Sequence, residues 1–211
     1  MTSLEKRKRE LKKKKMLLLI WSIFLILVGV GITLYVTNYK KIKDAVDKKN
    51  DTTKIYETNS DLEINMLVTT YLNAMTSCDQ KTLQSVVTNP SQFDNMTVLL
   101  SRAQKIVGYS HIDCYTVKGI KENEILCYVI ANISLKDVKS TPKDIMVYYI
   151  VKEANGEYHI NNNVDAEISA FIDEKTLNDD IQALYKIVKD DEDKCYNEDK
   201  TLRDFYEKYQ K

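Results

Sequence analysis

Two prolines, five glycines, two histidines and one tryptophan are all that 211 residues contain of these types. The glycines form neither a dinucleotide fingerprint nor a P-loop, and no G-x-S-x-G elbow is present. The four cysteines (Cys78, Cys114, Cys127 and Cys195) lack C-x-x-C or zinc spacing. The acidic run Asp190 to Asp193 lacks the spaced oxygens of a calcium loop. These gaps remove the motif-borne classes of cofactor chemistry, and no cofactor or metal is expected. An even cysteine count permits disulfides, while Cys114 and Cys127 read equally well as apolar strand residues.

Net charge is also missing, since 31 bases balance 31 acids. The balance hides a split. Residues 1–15 carry eight Lys/Arg against Glu5 and Glu10, which leaves 23 bases and 29 acids beyond them, a net of −6. An acidic remainder argues against a nucleic-acid platform, which needs a basic face.

Between the basic tail and the acidic remainder lies what the chain does have. Met16 to Thr37 is an uncharged run of 22 residues, 14 of them Leu, Ile, Val or Phe. As a helix it would reach roughly 33 Å, close to the ~30 Å hydrocarbon core of a bilayer. A secretory signal is shorter and ends in small residues, whereas this run ends in Tyr35 and Tyr39. Trp21, Tyr35 and Tyr39 stand where interfacial aromatics belong. The reading is an uncleaved anchor with the amino terminus cytoplasmic and residues 38–211 outside. Lipid bilayer is thus the first expected partner, and the basic tail suits anionic lipid better than nucleic acid.

Residues 38–59 read as a juxtamembrane stalk. Ser60 and Glu63 spell a capping box, and Ile64, Leu67, Val68, Tyr71, Leu72 and Met75 follow with helical spacing. Asp79 caps a short second helix that Asn89-Pro90 ends. A third helix from about Gln92 would place Met96, Leu99, Leu100, Ala103, Ile106 and Val107 on one face, with Gly108 as its stop. The period then changes to that of strands over 109–120, 124–136, 144–153 and 157–161. Two helical stripes close the chain: Leu177, Ile181, Leu184, Tyr185 and Val188, then Leu202, Phe205, Tyr206 and Tyr209. "DDEDKCYNED" reads as a hinge between them.

This order predicts an α+β fold: an N-terminal transmembrane helix, then helices covering one face of a curved four-stranded antiparallel sheet, then a C-terminal helical extension. The expected divisions are 1–15 tail, 16–37 span, 38–59 stalk, 60–163 α+β domain and 164–211 C-terminal helices. The expected core is Leu67, Val68, Tyr71, Leu100, Ala103, Val129 and Val147. "INMLVTTYLNAMTSCDQKTLQSVV", the following helix, and "EILCYVIANISL" with "DIMVYYIVKEANGEYHINN" resemble the nuclear transport factor two-like (cystatin-like cone) superfamily. The resemblance covers about residues 61–161 and implies a cone-shaped fold more than an activity. A weaker resemblance, in order of elements, is to the bitopic scaffold of type IV secretion and conjugation systems. The Lys-, Asn-, Ile- and Tyr-rich composition resembles that of low-GC bacterial proteins, which would set the chain in a cell envelope.

One polar constellation stands out. His111 and Asp113 lie two apart on a strand, and enzymes of the resembled superfamily can use such pairs. Pairing across a Glu122-Asn123 turn, however, places Ile112 and Cys114 with Cys127, Val129 and Ala131, and turns His111 and Asp113 away from that apolar face. The second candidate is the last stripe, Leu202, Phe205, Tyr206 and Tyr209, which either packs on its own domain or docks an envelope protein or a second copy. The expected function is a membrane-anchored extracytoplasmic interaction or scaffold protein, and the alternative is an anchored small-ligand-binding or enzymatic cone.

Overall fold

A computed structural model describes residues 54–209. The expected tail, membrane span and most of the stalk lie outside the described residues. Among the described residues, no helix is long and apolar enough to cross a membrane.

The fold is α+β, built on a five-stranded antiparallel sheet in the order β1-β2-β3-β4-β5. The strands are β1 (Glu57–Thr58), β2 (Ile106–Lys118), β3 (Glu124–Leu135), β4 (Lys143–Lys152) and β5 (Tyr158–Ile160). Four of them match the expected runs. β1 is an addition, too short to show a period, and the Asn59 side chain holds it by accepting from Cys114 N at 2.8 Å. Before the sheet come α1 (Leu62–Ser77), α2 (Gln80–Ser85) and α3 (Thr97–Ala103), with a 3₁₀ turn at Pro90–Phe93; after it come α4 (Ala166–Thr176), α5 (Asp179–Glu198) and α6 (Lys200–Tyr209).

Helices cover both faces of the sheet, not the single face expected. On one side Ile64, Leu67, Val68 and Leu72 of α1 pack on Cys114, Cys127, Val129 and Ile150. On the other, Ile168, Ile181, Leu184 and Val188 of α4 and α5 pack on Leu126, Tyr128, Ile130 and Tyr149. The reason lies in β3, which is buried from Leu126 to Ala131 without interruption. A strand buried on both faces reads as a continuous apolar run, and "ILCYVIA" is one.

Three local expectations give way. α1 is capped by Asp61 rather than Ser60: its Oδ1 accepts from Glu63 N at 2.9 Å and Ile64 N at 3.3 Å. α3 stops at Ala103, because Ile106, Val107 and Gly108 enter β2 and its pairing with β3. Leu100 is consequently 52% exposed instead of core. The acidic run is no hinge, since it lies within α5, and the break falls at Asp199, whose backbone is extended (φ −110°, ψ 108°). Exposed Lys186–Asp190 and Lys189–Asp193 pairs lie four apart along α5. Screened by water, such exposed pairs contribute little to the helix.

The β2–β3 connection is longer than two residues, yet it preserves the expected parity, with Cys114 opposite Val129 and Lys118 opposite Ile125. Gly119 is required there, since an added Cβ would lie 2.6 Å from the backbone carbon of Glu124. Glu124 is buried and accepts from Tyr149 Oη at 2.7 Å and from Lys121 N and Nζ at 3.1 and 3.2 Å. Burial raises its pKa, but those three donors outweigh burial and hold the carboxyl below its ordinary value.

Candidate functional site

The two candidates named from sequence come first. A bulge between Ser110 and Asp113 shifts the β2–β3 register, and His111 sits in it with a left-handed φ of 51°. Exposed, His111 has the Ser110 hydroxyl as its hydrogen-bond partner among the described residues, Nδ1 to Oγ 3.3 Å. Asp113 Oδ1 instead accepts from Asn59 Nδ2 at 2.8 Å, which clamps β1 to β2. The bulge breaks the two-residue alternation that would have aligned the two side chains, and no hydrogen bond joins them. His159 faces Glu153 across 3.6 Å on the outer hairpin.

The last stripe turns onto its own chain. Leu202 is fully buried. Tyr206 Oη donates to Glu192 Oε1 at 2.8 Å, and its ring stacks on Tyr196 with centroids 6.1 Å apart. Burial first, then this bond to a carboxylate, raises the Tyr206 pKa. Phe205 and Tyr209 meet at 4.8 Å between centroids, and Lys105 Nζ lies 4.1 Å from the Tyr209 ring centre. The joint is fastened to the β3–β4 loop. Asp199 accepts from Ser140 N at 2.8 Å and from Thr201 Oγ1 at 2.6 Å. These bonds, that from Thr201 first, hold its carboxyl well below the usual range. Tyr209, 42% exposed, is the member of the stripe left open to solvent.

The four cysteines are free thiols, so the disulfides that their even count permits are not formed. Cys114 and Cys127 are buried against α1, as apolar strand residues are. The Cys127 thiol is pushed well up, first by its hydrogen bond with Cys114 and then by burial.

A third location emerges only from the tertiary structure. An open recess of about 270 Å³ lies between the first turns of α1 and the β4–β5 hairpin. Its floor is Leu67, Val86 and Tyr158, with Met66 beside it and Glu63 and Glu157 at the rim. The helical period makes the site: Ile64, Leu67 and Val68 face the sheet, which turns Glu63, Met66 and Thr70 outward. Asp61 ties the two walls together, capping α1 through Oδ1 while Oδ2 accepts from Tyr158 Oη at 3.1 Å. Burial, then Asp61, raises the Tyr158 pKa. Gly156 (φ +88°) permits the tight hairpin that brings Glu157 up.

Met66 is 61% exposed and its neighbour Leu62 72% exposed. Carboxylates outnumber cations around it: Asp61, Glu63 and Glu157 stand against Lys152, which lies 4.6 Å from the centre of the Tyr158 ring. The recess holds no paired acid and base aimed at a common point, and among the described residues no group of three His, Cys, Asp or Glu could hold a metal. Chemically the site can bury an apolar side chain and attract a cation. Its sequence signal was the pair Leu62 and Met66, apolar residues off the α1 stripe. The partner wall comes from residues more than 80 positions away, so the stretch itself showed no recess. Family models, curated proteins and solved structures yield no match to this chain.

Proposed function

We propose that this chain is a membrane-anchored interaction module, held outside the membrane by its uncharged 22-residue run and serving as a scaffold in a cell-envelope assembly. The observation that carries the reading is the open recess with Met66 and Leu62 exposed beside it. Exposed apolar side chains rimmed by charge are the ordinary composition of a docking surface. The resemblance to cone domains and to the bitopic scaffold of secretion and conjugation systems supports the same reading, as does the acidic charge beyond the basic tail.

Two measurements on intact cells or protoplasts test it. Added protease is expected to digest the domain while the mature chain still begins near Met1. A photocrosslinking amino acid at position 66 is expected to give a discrete adduct in membranes, and one at Lys121 to give none. A soluble product starting beyond residue 37, or equal adducts at both positions, would refute the reading.

A further inference from the structure

The recess has a chemistry of its own, separate from the fact of docking. Its floor of Leu67, Val86 and Tyr158 offers space for one apolar side chain, not for a whole small molecule. Glu63 and Glu157 rise on opposite walls, one from α1 and one from the β4–β5 hairpin. Neither forms an ion pair within the described chain. Asp61 adds further negative charge, and Lys152 is the near cation, placed over the Tyr158 ring.

We infer that the recess receives a basic segment of a partner protein, in which one apolar side chain is flanked by lysines or arginines. The apolar side chain lies over Leu67 and Val86 against Met66, and the flanking cations meet Glu63 and Glu157. Charge complementarity selects this class over an acidic segment, because the carboxylates of Glu63 and of Glu157, the latter bonded only to the neutral Asn155 amide, lie 94 residues apart in sequence and share one opening. Methionine suits the contact, since its unbranched thioether adapts to different apolar side chains. This inference rests on the interaction-module reading and adds the chemistry of the partner to it.

The test uses the full chain in nanodiscs of zwitterionic lipid, with the methionine methyl groups labelled for NMR; the chain has six methionines. The probes are capped heptapeptides carrying leucine between two lysines, leucine between two glutamates, or serine between two lysines. The first is expected to shift the Met66 methyl saturably and less so as salt is raised, and the other two to leave it in place. In the variant E63K/E157K the lysine–leucine peptide is expected to bind about tenfold more weakly and the glutamate–leucine peptide to gain. Both positions are exposed, and an unchanged methyl spectrum of the free variant checks its fold. Equal response to all three peptides, or a Met66 methyl that none of them moves, overturns the inference. If the position-66 adduct is nonetheless found in membranes, only the partner chemistry falls; if that too is missing, the module reading falls with it.

Discussion

The two faces of the sheet are closed in different ways. On the α1 face Ile64, Leu67, Val68 and Leu72 pack on Cys114, Cys127, Val129 and Ile150, with Tyr71 edge-on to Tyr148. The α4–α5 face likewise has edge-on rings, Tyr128 against Tyr185 and Tyr149 against Phe171. It is also tethered by carboxylates that accept from backbone N–H groups elsewhere: Asp180 from Ile55, Asp191 from Lys143 and Asp199 from Ser140, each at 2.8–2.9 Å. Among the described residues, the long α1 sits in its place through burial apart from the Asp61–Tyr158 bond. The later helices combine burial with charge-assisted bonds, which respond to pH as burial does not.

The largest effects should treat the faces alike. Leu72 and Leu184 are equally buried, one on each face. Truncating either to Ala is expected to cost about 2–5 kcal/mol in denaturant unfolding, and Leu100→Ala under about 1 kcal/mol. A large loss at Leu100, or a loss on one face only, would break the assignment of two cores.

Removing residues 199–211 should act next most strongly. It takes away the buried Leu202, the Asp199 tether and the Tyr206–Glu192 bond. Burial of one leucine contributes about 1.5–3 kcal/mol, so a fall of several degrees in melting temperature is expected. An unchanged melt accompanied by lost association would instead make the last helix an arm for a partner.

The smallest effect should separate the faces. Asp191 is half-buried, and burial raises its pKa, but the Lys143 N–H and ammonium outweigh burial and set it below 3.8 in the folded chain. A depressed folded pKa stabilises above the unfolded value and loses that contribution as pH falls through the folded value. Amide exchange at Lys143 and Ser140 should therefore be unchanged between pH 7 and 5, once corrected for intrinsic rates. It should quicken below about pH 4, ahead of amides in α1. Simultaneous loosening of both faces would show that the carboxylate tethers do not distinguish them.

The resolution of the sequence follows from how local each signal is. The stripe of α1, the Asp79 cap and four strands were legible because each repeats within a few residues. The end of α3 was not, because Ile106 and Val107 satisfy a helical face and a strand equally well. The pairing of Ile106 and Gly108 with β3, some way along the chain, decides between the two. Lys186–Asp190, Lys189–Asp193 and the bonds of Asp191 to Lys143 support α5 through "DDED", where charge alone suggested a hinge. His111 and Asp113 were spaced correctly for a shared face, and an inserted bulge residue defeated the spacing.

The sequence by itself determined the elements that depend on neighbours: the uncharged run, the helical and strand periods, and the even-to-odd parity that sets Cys114 opposite Val129. Tertiary structure alone decided which surfaces those elements share. It put α5 on the second face of β3, turned Leu202 inward, and brought Glu63 to the same opening as Glu157. Periodicity fixes the direction of a side chain relative to its own backbone, whereas a recess or a tether depends on two segments that meet only after the chain has folded.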